Sequence, residues 1–381
     1  MSTNVSRKLY KKKKEIYGKI YQTIQHPLKS VVHQKLIRQS KLKQVASKES
    51  IIRFGKREQY QPDLGRHEWI VKHCGTRGPQ TFPRPFTCVI DDAKLVGSYP
   101  IPLTNSHRCP LDAIGTEDTF NLNLLFSLKS IPGEARSYLS KNSFDVDLGF
   151  LMYDYWSSGY FHWHFDNLIQ LRGLEAFEST TGRRPKLIVP PDLSDWQQES
   201  LEIMGYDEDD LVRWEPPLGT VEELVVVTNQ RPRPDSVRWL RQSLDITNVD
   251  QPSNSRIYVS RSDADRRRVL NEEEVMACLS QYGFDKFVPG NHTVRDQIRT
   301  MKNAEVVVGP HGAGLTNILH CPEDTNILEL LPKSDPRRHF FDLANKLNLN
   351  YSCCLCDDSG TDLVVDVEAL HQELQEVLDD S

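Results

Sequence analysis

From residue 256 onward the apolar positions switch cleanly between two spacings. RIYVS at 256–260 is a short apolar run of strand length. Val275, Cys278, Leu279 and Tyr282 then recur at helical spacing behind Asn271, with Glu274 three positions on as capping-box partner. Gly283 stands where a left-handed cap would end that helix. FDKFV at 284–288 reads as the next strand, Thr293 opens a helix carrying Ile298 and Met301, and AEVVVG at 304–309 is a third strand. A short helix over 315–320 precedes a fourth strand, NILELLP at 326–332. Strands alternating with helices in this way predict a parallel sheet covered on both faces, an α/β fold.

Upstream the pattern is less regular. Short β runs between prolines and turns, FTCVIDD and AKLVGSYPI, occupy the region from about 80 to 150. A helix beginning near Tyr160, a strand at 186–190, a helix near 196–204, a strand at 223–228 and the helix VRWLRQSL follow. TNVDQPSNS at 247–255 is polar and rich in turn formers, the best linker in the chain. The expected organisation is a basic arm over 1–57 with helical patterning, an α/β unit over 58–246 with a β-rich start, and a second, Rossmann-like unit over 247–381.

Composition adds a charge split. The 381 residues carry a net charge of −6, yet residues 1–57 hold 16 Lys/Arg against Glu15 and Glu49, a net of +14. The remainder is therefore an acidic body of net −20, a balance met in halophilic proteins. Lysines interleaved with Tyr10, Ile16, Tyr17, Ile20, Tyr21 and Ile24 fit an amphipathic helix on anionic lipid, or an arm docked on the acidic body. Nucleic acid is a poor partner, because no nucleic-acid fold or Arg-aromatic array accompanies the basic run. No window approaches 18 uninterrupted apolar residues, and the N-terminal stretch lacks a signal peptide's apolar core. A cytoplasmic location, with peripheral contact on the inner face of the cell membrane, is the expectation. The eight cysteines form no CxxC pair and read as free thiols.

The sharpest candidate chemistry is EVVVGPHGAGLTN at 305–317, where a buried strand runs into a Gly-rich loop and the loop into a helix. Ligands of open parallel sheets sit at the carboxyl ends of strands. Gly309, Gly312 and Gly314 would let backbone amides approach an anion, the helix start would add free N–H groups, and His311, Ala313, Thr316 and Asn317 lie at the same place. A phosphate or diphosphate is the expected guest; a tight turn needing small residues for packing is the competing reading. GAGLTN is one residue off the dinucleotide fingerprint but lacks the acidic residue at a following strand end. HGAG resembles a lipase oxyanion loop, yet the chain has no GxSxG nucleophile, and no Walker A ending is present.

Ser260 and Arg261 end the strand RIYVS on the same sheet edge, and Arg266, Arg267 and Arg268 follow in the loop. Guanidinium groups there fit phosphates, with Arg261 and Arg267 the stronger ligands; a solvated charge run paired with the glutamates at 272–274 is the alternative. Glu329 would accept hydrogen bonds from ribose hydroxyls, or else serve as a cap or surface group. In GYFHWHFDN at 159–167, His162 and Asp166 lie four apart on one helical face, an arrangement suited to taking a proton from an acceptor hydroxyl; a buried aromatic helix is the rival. The acidic triplets at 145–147, 207–209 and 263–265 read as surface, and no histidine or cysteine spacing suggests zinc, so no metal and no cofactor is expected.

FHWHFDN, VSRSDADRRRVLNEEE and VVVGPHGAGLTNILHCPEDTNILEL together resemble the glycosyltransferase 61 family, in order and spacing over about residues 85–335. The resemblance implies a glycosyltransferase-B architecture, two Rossmann-like domains facing a cleft with the nucleotide-sugar donor held mainly by the second. It also implies inverting transfer without an essential metal, to a glycan or lipid-linked glycan acceptor. The rival from another class is a non-catalytic nucleotide-sugar-binding or carbohydrate-binding protein of the same fold, which would keep the loop and arginines and lose the acid/base helix.

Overall fold

The computed structural model describes residues 35–47, 50–64, 78–134, 144–215, 218–228, 232–246 and 255–379. Most of the basic arm, residues 1–34, and the linker stretch 247–254 lie outside them.

The chain is a mixed α/β protein built on two large sheets. Ser255–Val259 lies centrally in the second, between Phe284–Phe287 and Ala304–Pro310, followed by Asn326–Pro332 and Asn350–Ser359, all parallel; Asp362–Val364 closes the edge antiparallel. Every residue of Asn326–Pro332 is buried, as a strand covered on both faces requires. Alternation sends Val259, Val307, Ile327 and Leu331 to one face and Tyr258, Val306, Val308, Leu328 and Leu330 to the other, where they enter separate apolar clusters.

In the first sheet Leu211–Arg213, Lys186–Val189, Phe144–Leu151 and Leu218–Val227 run parallel, and Phe86–Val96 joins antiparallel. The two β runs read at 86–101 are thus one eleven-residue strand and a short return, Ile101–Leu103. One face of this sheet, through Val89, Phe150, Val189 and Val225, shares its cluster with Val259 and Val307 of the other sheet. The two sheets therefore meet across a common apolar core, which fixes the loops of one half against the other. From residue 36 onward the arm is part of this body: Leu36–Ile37 pairs with Cys109–Pro110, Ile52–Arg53 pairs with Phe86–Val96, and Leu42 is fully buried.

Gly283 is left-handed at φ 76° and Thr293 caps the helix Val294–Lys302 by accepting from the Asp296 amide at 3.1 Å. Asn271 does not cap its helix. Its side chain bonds the backbone of Val365 in both directions, at 2.9 and 3.0 Å, because that strand end lies alongside.

Candidate active site

Arg261, on the same side of its strand as Val259, places its guanidinium directly over Gly312; a Cβ at Gly312 would overlap it. Gly312 is extended rather than left-handed, so its missing side chain serves this approach. A 3-10 helix, Ala313–His320, starts here, and its first hydrogen bond runs from the Leu315 amide to the Gly312 carbonyl at 3.0 Å. The amides of Ala313 and Gly314 precede any helical acceptor. Arg261 donates to the Arg266 carbonyl at 3.2 Å while its Nε is buried and unpartnered. Burial holds Arg261 below the usual arginine range, Asp263 opposing and Arg266 adding to the effect. Burial, then repulsion from Arg261, Arg337 and Arg266, pushes Arg267 down to about 10. Arg261, Arg266, Arg267 and Arg337 thus bring like charges together, and the Arg261 beside the glycine loop carries a buried Nε with no partner.

The other glycines have packing reasons. A Cβ at Gly309 would lie 3.0 Å from the Val259 carbonyl, and one at Gly314 would lie 2.9 Å from Val259 Cγ1 and 3.3 Å from Pro289. Ser260 points to the opposite face of the sheet and donates to Glu272 at 2.6 Å. Glu329 is fully buried, accepting from the Tyr351 hydroxyl at 2.6 Å on one oxygen and bonding His311 Nδ1 with the other. Both oxygens are thus engaged within the protein rather than turned to a ribose; the carboxylate sits on the core side of its strand and braces His311 beneath the loop. Asn317 is a structural link, accepting from the Tyr160 hydroxyl at 2.9 Å and donating to Gln297 at 2.7 Å. Thr316 is buried with its hydroxyl unpartnered.

GYFHWHFDN is not one regular helix. Tyr160–His162 is α-helical, Trp163–Asn167 is a π segment and Leu168–Gln170 is a 3-10 turn. Such π bulges occur frequently at functional sites. Trp163, His164 and Phe165 are buried, Trp163 donating to Ser200 at 2.8 Å, which is the packing half of the motif. His162 and Asp166 face outward and meet at 2.6 Å, each side chain 38% exposed. Trp156 stacks on His162 at 4.9 Å. A second carboxylate, Asp154, lies beside them. Burial, then the Asp166 charge, raises it to about 6, against the hydrogen bond from the Trp156 amide and the His162 charge.

The two parts are joined by a loop that no motif in the sequence marks. SDPRRHF at 334–340 leaves the carboxyl end of Asn326–Pro332, the same edge as Arg261 and Gly312. Its His339 ring lies 5.9 Å from His311 and 5.4 Å from Phe161. Burial, then the charges of His311 and Arg337, pulls His339 down to about 4, although part of the residue faces solvent, the setting of a cleft wall. His339 also feels the charge of His162, and Arg337 acts on both His339 and Arg267, so the His162–Asp166 pair and the arginine group lie near one another. The available signal was positional: a basic run immediately after a parallel strand. Among the described residues no three His, Cys, Asp or Glu side chains converge as a metal-binding group. Asp145, Asp147, Asp207, Asp209, Asp263 and Asp265 of the acidic triplets are exposed.

Most of these residues, though not Asp154, Trp156, Glu329, Arg337 or His339, fall within a segment shared with known proteins. Residues 160–328 match the glycosyltransferase 61 family model. The chain is 31% identical over 116 residues to a beta-1,2-xylosyltransferase of Arabidopsis thaliana, covering 27% of this chain and 22% of that protein. It is 28% identical over 106 residues to the human protein O-linked-mannose beta-1,4-N-acetylglucosaminyltransferase 2, covering 27% and 18%. An EGF domain-specific O-linked N-acetylglucosamine transferase of Drosophila melanogaster is 33% identical over 88 residues, covering 22% and 17%. The chain thus aligns with about a fifth of the length of these relatives. The arginine loop, the glycine loop and the His162–Asp166 segment all lie within the residues that match the glycosyltransferase 61 family model.

Proposed function

We propose that the protein transfers a sugar from a nucleoside-diphosphate donor to a hydroxyl of a glycan or lipid-linked glycan, with inversion, without an essential metal, and on a glycosyltransferase-B arrangement of its two sheets. The observation that carries this reading is the arginine cluster, with the buried, unpartnered Nε of Arg261 against Gly312, near His162 and Asp166. A leaving diphosphate needs its developing charge stabilised, and pre-placed guanidinium groups and loop amides do this without reorganising. Asp166, held by His162, takes the acceptor proton; the acceptor oxygen bonds to the anomeric carbon as the bond to the diphosphate breaks. The xylosyl and N-acetylglucosaminyl transfers named for the relatives support a sugar donor. The basic residues of 1–57 are proposed to hold a cytoplasmic protein peripherally on the inner, anionic face of the membrane.

The test pairs binding with turnover. Calorimetry with UDP, GDP and CDP, with and without a chelator, should find one nucleotide that binds in both conditions. Asp166→Asn should lower transfer by about 10²–10⁴-fold and leave that affinity unchanged. Failure of every nucleotide to bind, or binding lost to the chelator, overturns the donor site. Full transfer by Asp166→Asn overturns the base, and nucleotide binding without transfer in the wild type would favour a non-catalytic binder.

A further inference from the structure

A strip of aromatic rings leads away from the acid/base pair. Trp156 lies over His162 at 4.9 Å and 27°, and 37% of the residue is exposed. Tyr155 meets Trp156 edge-on at 4.9 Å, Phe126 stacks on Tyr155 at 4.5 Å, and Tyr99 lies 5.7 Å from Tyr155 and 5.3 Å from Tyr153. Isolated exposed aromatics need no explanation, but this one belongs to a contiguous series that begins at His162 and runs on to Tyr99 and Tyr153. The turn that presents it is pre-organised: Asp154 Oδ1 accepts from the Trp156 amide at 2.6 Å, and the Ser157 hydroxyl accepts from the Asp154 amide at 2.8 Å. Asn123 fixes the next position, accepting from the Tyr155 amide at 3.0 Å.

We infer that Trp156 and the tyrosines behind it are the platform for the acceptor, and that the acceptor part seated there is a neutral oligosaccharide. Aromatic faces carry negative charge density and attract the C–H face of a pyranose ring, while tyrosine hydroxyls and the Asp154 carboxylate supply the hydrogen bonds that a sugar rim needs. His162 covers one face of Trp156, so a sugar stacked on the indole takes the other face, one ring away from His162, which holds Asp166 within hydrogen-bond distance. A peptide acceptor would call for apolar pockets or a free strand edge rather than ring faces among carboxylates. The inference rests on the proposed transfer reaction for its direction, but the platform is testable without it.

Saturation-transfer NMR and calorimetry on the full chain, with chitotetraose, mannotetraose and xylotetraose as probes, give the test. At least one tetrasaccharide should bind the wild type. Trp156→Ala should weaken it by about threefold to tenfold, Trp156→Tyr should retain most of the affinity, and nucleotide affinity should be the same in all three proteins. Equal binding by wild type and Trp156→Ala overturns the platform, as does a wild type that binds nucleotide and none of the three sugars. A wild type that binds a tetrasaccharide through Trp156 but no nucleotide keeps the platform and removes the donor reading.

Discussion

Removing the Glu329 carboxylate would leave His311 Nδ1 and the Tyr351 hydroxyl without their acceptor in a dry interior. Breaking one side of such a buried network costs about 3–5 kcal/mol, so Glu329→Ala should lose that much in urea denaturation. Its nucleotide affinity, measured where the variant is still folded, should stay within a few-fold of wild type. A stable variant that has lost nucleotide binding would restore the ribose contact. Arg267→Met has the opposite signature. It removes a charge held at about 10 by burial and by three neighbouring guanidinium groups, so stability should hold or rise. Losing a charge-assisted hydrogen bond to phosphate should weaken nucleotide binding by about 1.5–3 kcal/mol, more than tenfold. A variant destabilised yet binding normally would make Arg267 structural. Residue types had singled out both positions, but not their contrast. Which face of a strand a carboxylate takes, and what closes over it, depends on strand order and on Tyr351, twenty-two residues away. The same holds for Gly314, whose small size answers to Val259 and Pro289 rather than to a ligand.

At the scale of elements, local signals were read correctly wherever they were sufficient. The four parallel strands from 255 to 332, the left-handed Gly283 and the Thr293 cap each depend on a few adjacent residues. Asn271 fails as a cap because Val365, ninety-four positions on, competes for its side chain. The π segment at Trp163–Asn167 was also beyond reach, and its buried His164 lies near enough to His320 of the Ala313–His320 helix for their charges to repel. That contact has a pH signature. Burial holds His164 down to about 4; burial, then His164, Arg241 and Lys302, hold His320 down to about 3. Both are therefore neutral when folded and bind protons below about 6.5 when unfolded. The unfolded state carries more protons, so this stability is complete above pH 6.5 and is lost as pH falls toward 4. Asp154, raised to about 6, works the other way, while His339, held down to about 4, works in the same direction as these two. The urea midpoint should be clearly lower at pH 5.0 than at pH 7.5, and His320→Gln should flatten the difference. Equal midpoints in the wild type would mean that these histidines are not held neutral.

The whole molecule pairs a basic N-terminal region with a body of net charge −20, and the structure shows where one ends and the other begins. Leu36, Ile37 and Leu42 lie in an apolar cluster with Phe86, Val226 and Trp214, and Lys43 sits 4.9 Å over the Phe86 ring. A truncation at residue 57 would therefore remove a sheet strand and part of a core, confusing loss of charge with loss of fold. Removing residues 1–34 avoids this, because it takes eight Lys/Arg and Glu15 and stops short of Leu36. If the basic segment holds the protein on an anionic surface, the full chain should sediment with phosphatidylserine-containing vesicles at low salt. It should release as salt rises, since the screening length falls from about 10 Å at 0.1 M to about 3 Å at 1 M. The 35–381 chain should keep the melting temperature and nucleotide affinity of the parent and fail to sediment, because an acidic body is repelled by the same vesicles. Equal sedimentation by the two chains would place the attraction elsewhere. Binding that is insensitive to salt would make it apolar rather than electrostatic, and either result would turn the lysines of 1–34 toward the protein's own acidic surface as their partner.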